Sequence, residues 1–289
     1  MTTLRELPGD LVEEILCRVP AKSVKRLRST CKRWNRLFND VGFARKHSDK
    51  APKQFIDLVL TAEYKILPMS VNLHGINPSV EFKGELSLPD HPHSMDVDGV
   101  FHCDGFILCT YTSRDEYGIV VWNPCTGQTR RIDPVVRNKS RGFALGYHQD
   151  KGKRSYKLLS YYDTLKDSAI YDFTSDSWKI VDGDIAPGWN VGDAYSCQSA
   201  SLKGNTYWFA NHETETHLGM CLLRFDYSTK ISCGHVPLPY QYPSYRTSTL
   251  SVVREEKLSV LLQPHNTSKT EVWVTDKIDG TKDMSWRKS

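Results

Sequence analysis

Four segments of the chain share one pattern: a hydrophobic strand with an aromatic residue, a turn, and a second strand. They are IVVWNPCTGQTRRI (119–132), AIYDFTSDSWKIV (169–181), LLRFDYSTKISCGHVPLP (222–239) and EVWVTDKIDGTKDMSW (271–286). The aligned aromatic residues are spaced 49, 54 and 48 residues apart, at Trp122, Tyr171, Phe225 and Trp273. A period of about fifty residues constrains the fold strongly, because each unit then repeats one supersecondary structure.

A further hydrophobic run precedes each of these segments. The runs are GFILCTY (105–111), YKLLSYY (156–162), NTYWFA (205–210) and LSVLLQ (258–263). Each unit therefore offers three or four strands, and four strands per fifty residues is typical of a kelch-like β-propeller. An irregular β-sandwich remains the alternative.

Residues 7–38 have helical rather than strand periodicity. Asp10 and Glu13 have the spacing of a capping box, which predicts a helix start, and Pro20 is expected to end that helix. One apolar stripe runs along it, formed by Leu11, Val12, Ile15, Leu16 and Val19.

A second helical pattern begins near Ser23, with basic residues on its opposite face. Its apolar positions are Val24, Leu27, Cys31, Trp34 and Leu37 or Phe38. The sequence predicts two or three short helices in about forty residues, followed by a polar boundary at 39–53 (NDVGFARKHSDKAPK). Because so small a unit needs a partner for stability, its apolar faces either pack on the rest of the chain or form a docking surface.

This helical segment resembles the F-box. The resemblance implies binding to a Skp-type adaptor and, through it, to cullin and RING subunits of a ubiquitin ligase. It carries the adaptor contacts to Leu7, Pro8, Leu11, Val12, Ile15, Leu16, Val19, Pro20, Leu27, Cys31 and Trp34, and it leaves open how Leu27, Cys31 and Trp34 divide between core and interface.

The remainder resembles the plant F-box-associated interaction domain, from about residue 100 to the end. The matching segments include VVWNPCTGQTRRI, IYDFTSDSWKIV, LKGNTYWFA and LSVVREEKLSVLLQ. The two resemblances together predict an F-box helical module at 1–45, a linker with first strands at 46–99, and a β domain at 100–289. Because members of this family continue well past the Ser285-Trp286 pair, we expect a β domain shortened at its C-terminus, with incomplete closure and lower stability.

The charge distribution differs between the two parts of the chain. Residues 1–50 hold twelve Lys/Arg against six Asp/Glu, whereas the rest holds 26 against 28. A nucleic-acid surface is one interpretation of this basic surplus, but no groove-reading motif accompanies it. An acidic adaptor, as the resemblance implies, is the favoured interpretation. The sequence also has no signal peptide and no membrane-spanning run, so we expect a cytoplasmic or nuclear protein whose eight cysteines are thiols.

No arrangement of residues matches a known catalytic or metal-binding motif, so we expect no catalysis, no cofactor and no metal. His212, Glu213 and His217 form HExxxH, which has one residue too many for a zinc helix. His91, His93, His102 and Cys103 cluster without a zinc spacing.

The segment PLPYQYPSYR (237–246) is predicted to be an exposed aromatic loop. Its tyrosines, Tyr240, Tyr242 and Tyr245, are therefore candidate target-binding residues. Taken together, the sequence predicts a mainly β protein with a small α-helical N-terminal module that acts as the substrate receptor of a Skp–cullin–F-box ubiquitin ligase. The alternatives are a truncated receptor that binds the adaptor without delivering a target, and a propeller enzyme.

Overall fold

The computed structural model describes residues 7–51, 57–60, 66–72, 79–82, 96–112, 117–123, 128–135, 141–162, 165–191, 199–229, 231–239, 245–265, 268–278 and 284–289. The chain divides into two compact units. The first holds residues 1–100 and 105–133, and the second holds residues 101–104 and 134–289. The module limits predicted at residues 45 and 99 stay predictions.

The N-terminal part of the first unit is a helical module of four short helices. They are α1 (Gly9–Leu16), α2 (Ala21–Arg28), α3 (Lys32–Phe38) and α4 (Val41–Lys50). The module has its own apolar core, in which Phe38 and Phe43 meet edge to face with their ring centroids 5.2 Å apart. The buried members of this core are Val12, Leu16, Cys17, Val24, Trp34, Phe38 and Phe43.

Both predicted ends of the first helix were wrong. Pro8 occupies the N-cap position of α1, and no side chain caps the helix, so the capping box of Asp10 and Glu13 does not form. The helix ends at Leu16 rather than at Pro20, which is instead the N-cap residue of α2. Proline suits both positions, because the residue before a first helical turn takes an extended backbone and needs no amide hydrogen.

Helix α4 lies where the sequence predicted a polar boundary. The side chain of Asp40 caps it, since Asp40 Oδ1 accepts a hydrogen bond of 2.8 Å from the Phe43 amide. Phe43 and His47, which are one turn apart on this helix, are both buried. The prediction failed because the segment is rich in charged residues, and two buried positions four residues apart do not make a clear hydrophobic stripe.

The first unit also contains two antiparallel sheets. The three-stranded sheet has the order β1 (Asp57–Leu60), β2 (Ile66–Asn72) and β3 (Ser79–Phe82). The four-stranded sheet has the order β4 (Asp96–Cys103), β5 (Phe106–Thr112), β6 (Tyr117–Asn123) and β7 (Gln128–Ile132). The last residues of β4 group with the second unit.

The second unit is built from three further antiparallel sheets. In two of them the strands are paired in chain order, and in the third sheet two strands pair with the same neighbour. One sheet is β8 (Gly142–Asp150), β9 (Lys153–Tyr161), β10 (Ala169–Asp172) and β11 (Ser177–Ile180). The next has β12 (Trp189–Asn190) and β13 (Ser199–Leu202) both paired with β14 (Asn205–His212), followed by β15 (Met220–Asp226) and β16 (Ile231–Pro237). The last is β17 (Tyr245–Val253), β18 (Lys257–Pro264), β19 (Glu271–Thr275) and β20 (Trp286–Lys288).

The fifty-residue repeat predicted from the aromatic residues is confirmed. Trp122, Tyr171, Phe225 and Trp273 lie in the third paired strand of their respective four sheets, β6, β10, β15 and β19. Each sheet is an antiparallel meander of the kind that forms a propeller blade. The chain is therefore mainly β, with four propeller-like blades after a small helical module, as predicted.

Within the second unit, adjacent blades are joined by buried aromatic residues and by close backbone contacts. The Tyr227 hydroxyl donates a 3.0 Å hydrogen bond to the Ala144 carbonyl, and the Tyr147 amide donates one of 3.1 Å to the Gly204 carbonyl. A side chain on Gly146 would collide with the Tyr227 ring and with the Gly204 carbonyl. This glycine is therefore required where two blades approach each other.

The five cysteines whose side chains the structure describes are free thiols, as the sequence predicted. They are Cys17, Cys31, Cys103, Cys109 and Cys221. Burial raises the pKa of Cys103 and that of Cys109 to about 12, although the Ser201 hydroxyl donates to the Cys103 sulfur. Both thiols are thus neutral and unreactive at physiological pH.

Candidate docking surface of the helical module

Helix α1 buries one side and exposes another that is also apolar. Val12 and Leu16 are 1% and 2% exposed and belong to the core of the module. Leu11 and Ile15 are 51% and 41% exposed, and they are four residues apart on the same side of the helix. Pro8, at the start of the helix, is exposed as well. We call Pro8, Leu11 and Ile15 the docking surface.

The structure divides the predicted adaptor-binding residues into three groups. Val12, Leu16 and Trp34 are buried in the module core. Pro20 is half-buried, and four further residues are half-buried and pack against the core: Leu7, Val19, Leu27 and Cys31. Of the predicted adaptor-binding residues, only the three of the docking surface are exposed. The adaptor contacts of the whole set stay a prediction, but its exposed members are the ones free to make them without opening the core.

Helix α4 holds α1 and the following turn in place. His47, which is buried, places Nε2 2.8 Å from the Val19 carbonyl oxygen, a position from which the ring N–H donates. Lys50 bonds both carboxylate oxygens of Glu14 at 2.8 and 2.9 Å, and Lys46 pairs with Glu13. The Lys50 ammonium, together with Arg18, lowers the pKa of Glu14. Glu13 and Glu14 of α1 are thus neutralised within the module.

Helices α2 and α3, by contrast, carry cations that no acidic residue in the described part of the chain neutralises. Residues 15–39 contain no Asp or Glu. Arg26, Lys32, Arg33 and Arg36 are exposed, and none of them forms a salt bridge within the described part of the chain. We call these four residues the cationic band. Arg33 Nη2 lies only 3.3 Å from the position that a Cβ on Gly9 would take, so the band adjoins the first turn of α1.

Residues 46–50 are the part of this site that the sequence interpretation missed. Their signal was present in Asp40 as an N-cap residue and in the four-residue spacing of Phe43 and His47. An Asp directly before residues of apolar periodicity is a sequence mark of a helix start.

The predicted target-binding tyrosines are not brought together by the described structure. Tyr240 and Tyr242 lie outside the described residues. Tyr245 begins strand β17, pairs with Pro264, and is half-buried against the core between the last two blades. An exposed loop is therefore wrong for Tyr245, because its backbone is held in a sheet, and its role in target binding stays a prediction.

The histidine clusters have structural roles where they are described. His212 ends strand β14, and its Nδ1 accepts a 3.0 Å hydrogen bond from the Glu215 amide, while His217 lies in a short 3₁₀ helix (Thr216–Leu218). Within the described ranges, no three His, Cys, Asp or Glu side chains converge as metal ligands would. His91 and His93 lie outside these ranges. Among the described helices, none has the length and apolar character that crossing a bilayer requires.

Comparison with known protein families assigns both parts of the chain. Residues 4–46 match the F-box domain, and residues 57–289 match the F-box associated β-propeller domain. The chain is 50% identical to the F-box protein ETP1 of Arabidopsis thaliana, over 99% of this chain and 74% of that protein. It is 52% identical to the F-box protein ETP2 of the same plant, over 100% of this chain and 77% of that protein. An Arabidopsis F-box/kelch-repeat protein is 50% identical over 99% of this chain and 76% of its own length.

Proposed function

Since the chain belongs to the family of F-box proteins with an F-box associated β-propeller domain, we propose that it is a substrate receptor of a Skp–cullin–F-box ubiquitin ligase. The docking surface binds a Skp-type adaptor, which connects the chain to the cullin and RING subunits. The blades hold a target protein. The receptor works in the cytoplasm or the nucleus.

The observation that carries this proposal is the pair of exposed apolar residues on α1. Leu11 and Ile15 stay in water although the module has a closed core of its own. Large apolar side chains that adjoin one another at a surface mark interaction sites. Covering the exposed part of each by a partner stabilises the complex by about 1 kcal/mol, taking half of the 1.5–3 kcal/mol for full burial.

The proposed receptor makes and breaks no bond itself. It acts by proximity, because a target held on the blades is kept near a conjugating enzyme that the adaptor complex supplies. Linking two binding sites in one chain converts the encounter of target and enzyme into an intramolecular event at raised effective concentration. Neither a cofactor nor a metal takes part in this role.

The direct test is a binding measurement between the purified full chain and a Skp-type adaptor. We expect a complex at submicromolar concentrations. No complex at micromolar concentrations would contradict the proposal, provided that the chain gives the circular dichroism spectrum of a folded mainly β protein.

The cationic band leads to a prediction about the rate of this association. We expect the association rate constant to fall as salt rises, because exposed charges steer encounter and salt screens them. In the triple variant Lys32→Gln/Arg33→Gln/Arg36→Gln, association at low salt should slow by about tenfold and lose most of its salt dependence, while dissociation changes little. Surface plasmon resonance at several ionic strengths measures both rates.

The matched control removes three exposed lysines that lie in the second unit. Lys151, Lys153 and Lys179 are exposed and form no salt bridge within the described residues. The variant Lys151→Gln/Lys153→Gln/Lys179→Gln has the same net charge as the first and should associate like the wild type. Equal slowing in both variants would show that net charge, and not the cationic band, sets the rate.

A nucleic acid is the other polyanion that the cationic band could attract. Fluorescence anisotropy with a labelled oligonucleotide tests it. Micromolar binding at physiological salt that the band variant abolishes, with adaptor association unchanged, would assign the band to nucleic acid instead.

A further inference from the structure

Arg141 is a buried arginine at one end of the first blade of the second unit. It directly precedes β8 and stands beside the pair formed by Gly142 and Tyr161, where β8 begins and β9 ends. Only 4% of the residue is exposed. Arginine is almost never buried to this extent unless it is paired with an acid, because removing its charge from water is costly.

The groups that hold the Arg141 guanidinium are all neutral. Nε donates to the Ser160 hydroxyl at 2.7 Å, and Nη2 donates to the Ser160 carbonyl at 3.1 Å and to the Asp167 carbonyl at 2.7 Å. The guanidinium also lies over the Tyr162 ring, 4.3 Å from its centroid. None of the carboxylates in the described residues forms a salt bridge with it.

Two other cations of the same blade, both on strand β9, show what an ordinary pairing looks like in this chain. Arg154 Nη1 is 2.6 Å from an Asp104 carboxylate oxygen, and Lys157 is 2.6 Å from Asp172. Both are more exposed than Arg141, and both have an acid. Within the described residues, this blade thus pairs Arg154 and Lys157 with acids and gives the more buried Arg141 no counter-ion.

The contacts of Arg141 leave one nitrogen available. Nη1 donates to no group in the described chain, and it is not among the enclosed polar atoms that lack a partner, so it is the guanidinium nitrogen left for a ligand. The three hydrogen bonds and the ring fix the plane of the guanidinium. A ligand that accepts from Nη1 therefore meets a preorganised donor, whose side-chain entropy is already lost on folding.

We infer that Arg141 is an anion-binding residue that receives a carboxylate or a phosphate group of a bound protein. An oxyanion supplies the missing counter-ion and accepts charge-assisted hydrogen bonds from Nη1. The position agrees with such a role, because the connections between strands, which lie at this end of the blade, are where β-scaffolds carry their binding residues. That the anion belongs to a target rests on the proposed function, but the anion site itself does not.

The site is tested on the full chain alone, without any ligase component, so that its failure is separate from failure of the proposed function. Thermal unfolding is followed at pH 7 in sodium phosphate, sodium acetate and sodium chloride at equal ionic strength. We expect a saturable rise in melting temperature with one of the two oxyanions, beyond that with chloride. At ten times the dissociation constant, the ratio of folded to unfolded protein rises about tenfold.

The two oxyanions distinguish the source of the group. A rise with phosphate alone indicates a phosphorylated side chain, and a rise with acetate indicates an Asp, a Glu or a C-terminus. A rise with neither oxyanion beyond chloride overturns the site.

The variant Arg141→Gln should lose the anion-dependent rise, whereas the matched control Arg154→Gln should keep it, because Arg154 already has Asp104 as its partner. Equal rises in the wild type and in Arg141→Gln would overturn the assignment. If Arg141→Gln does not fold, the backbone amide resonances of the wild type decide. Those of Ser160, Tyr162 and Ser168 should move on titration with the active anion, with one common dissociation constant, and unchanged positions would overturn the site.

Discussion

Leu11→Asp is expected to weaken binding to a Skp-type adaptor by at least about a hundredfold, because it places a charge at the centre of the docking surface. A buried, unpaired carboxylate at an interface costs several kcal/mol, and each 1.4 kcal/mol is a factor of ten in affinity. The free chain should remain folded, since Leu11 is 51% exposed and lies in the first turn of α1, where acidic residues favour the helix dipole. Surface plasmon resonance gives the affinity, and circular dichroism gives the fold.

A matched control is available on the second unit. Ile180 is 73% exposed on strand β11, so Ile180→Asp makes the same kind of change at an apolar surface residue elsewhere. It should leave adaptor affinity unchanged. The double variant Leu11→Ala/Ile15→Ala removes the apolar contacts without adding charge, and it should weaken binding by about ten- to hundredfold.

Retained affinity in Leu11→Asp and in Leu11→Ala/Ile15→Ala would move the adaptor contacts away from α1. A loss of helical signal in Leu11→Asp would instead mean that this residue supports the module. Val12→Asp gives the reference for that outcome, because Val12 is 1% exposed and its replacement should unfold the module.

The blades were predictable from the sequence because their repeat does not depend on exact strand ends. One aromatic residue recurs in the third strand of each successive sheet. These residues therefore identify equivalent strands even where the strand limits are not known: Trp122, Tyr171, Phe225 and Trp273. The hydrophobic runs of the blades are regular because strands of this kind are buried on both faces. Strand β6, for example, is buried along five consecutive residues.

The helical module was predicted less accurately, because short helices are defined by their caps more than by periodicity. Proline N-caps at Pro8 and Pro20 set the starts of α1 and α2, whereas the capping box of Asp10 and Glu13 competes with a salt bridge from Lys46. That salt bridge comes from α4, thirty-three residues away in the chain. Local sequence patterns do not contain such tertiary contacts.

The anion site proposed at Arg141 could not be predicted from the sequence, because it too depends on tertiary contacts. An arginine before a strand is normally a solvated residue. Its burial depends on Ser160 and Asp167, which lie 19 and 26 residues further along the chain. The pairing of β8 with β9 brings Arg141 close to Ser160, and the pairing of β9 with β10 brings the segment that holds Asp167 back to Ser160.

Trp208→Ala is expected to destabilise the second unit by about 3–5 kcal/mol, the cost of removing a large aromatic residue from a core. Trp208 is fully buried, and its Nε1 donates a 2.9 Å hydrogen bond to the Tyr161 hydroxyl on the adjacent blade. Its ring also meets the Tyr161 ring with centroids 5.3 Å apart. Because whole domains are stable by only about 5–15 kcal/mol, this loss should shift urea unfolding, followed by far-ultraviolet circular dichroism, to clearly lower concentration.

The conservative variant Trp208→Phe separates apolar packing from the hydrogen bond. It keeps most of the buried ring but removes the donor to Tyr161, so we expect a loss of about 1–3 kcal/mol. An equal loss in both variants would assign the stability to the hydrogen bond rather than to packing, and an unchanged midpoint in Trp208→Ala would contradict the buried position itself.

Adaptor binding should survive Trp208→Ala. The described core of the helical module consists of residues between Leu7 and Phe43, and it includes nothing from the second unit. Leu11→Asp and Trp208→Ala thus should separate the two halves of the proposed receptor. Leu11→Asp should lose the adaptor and keep a stable second unit. Trp208→Ala should keep the adaptor, although its second unit is less stable. Loss of adaptor affinity in Trp208→Ala would show that the helical module depends on the blades for its fold, which its separate core argues against.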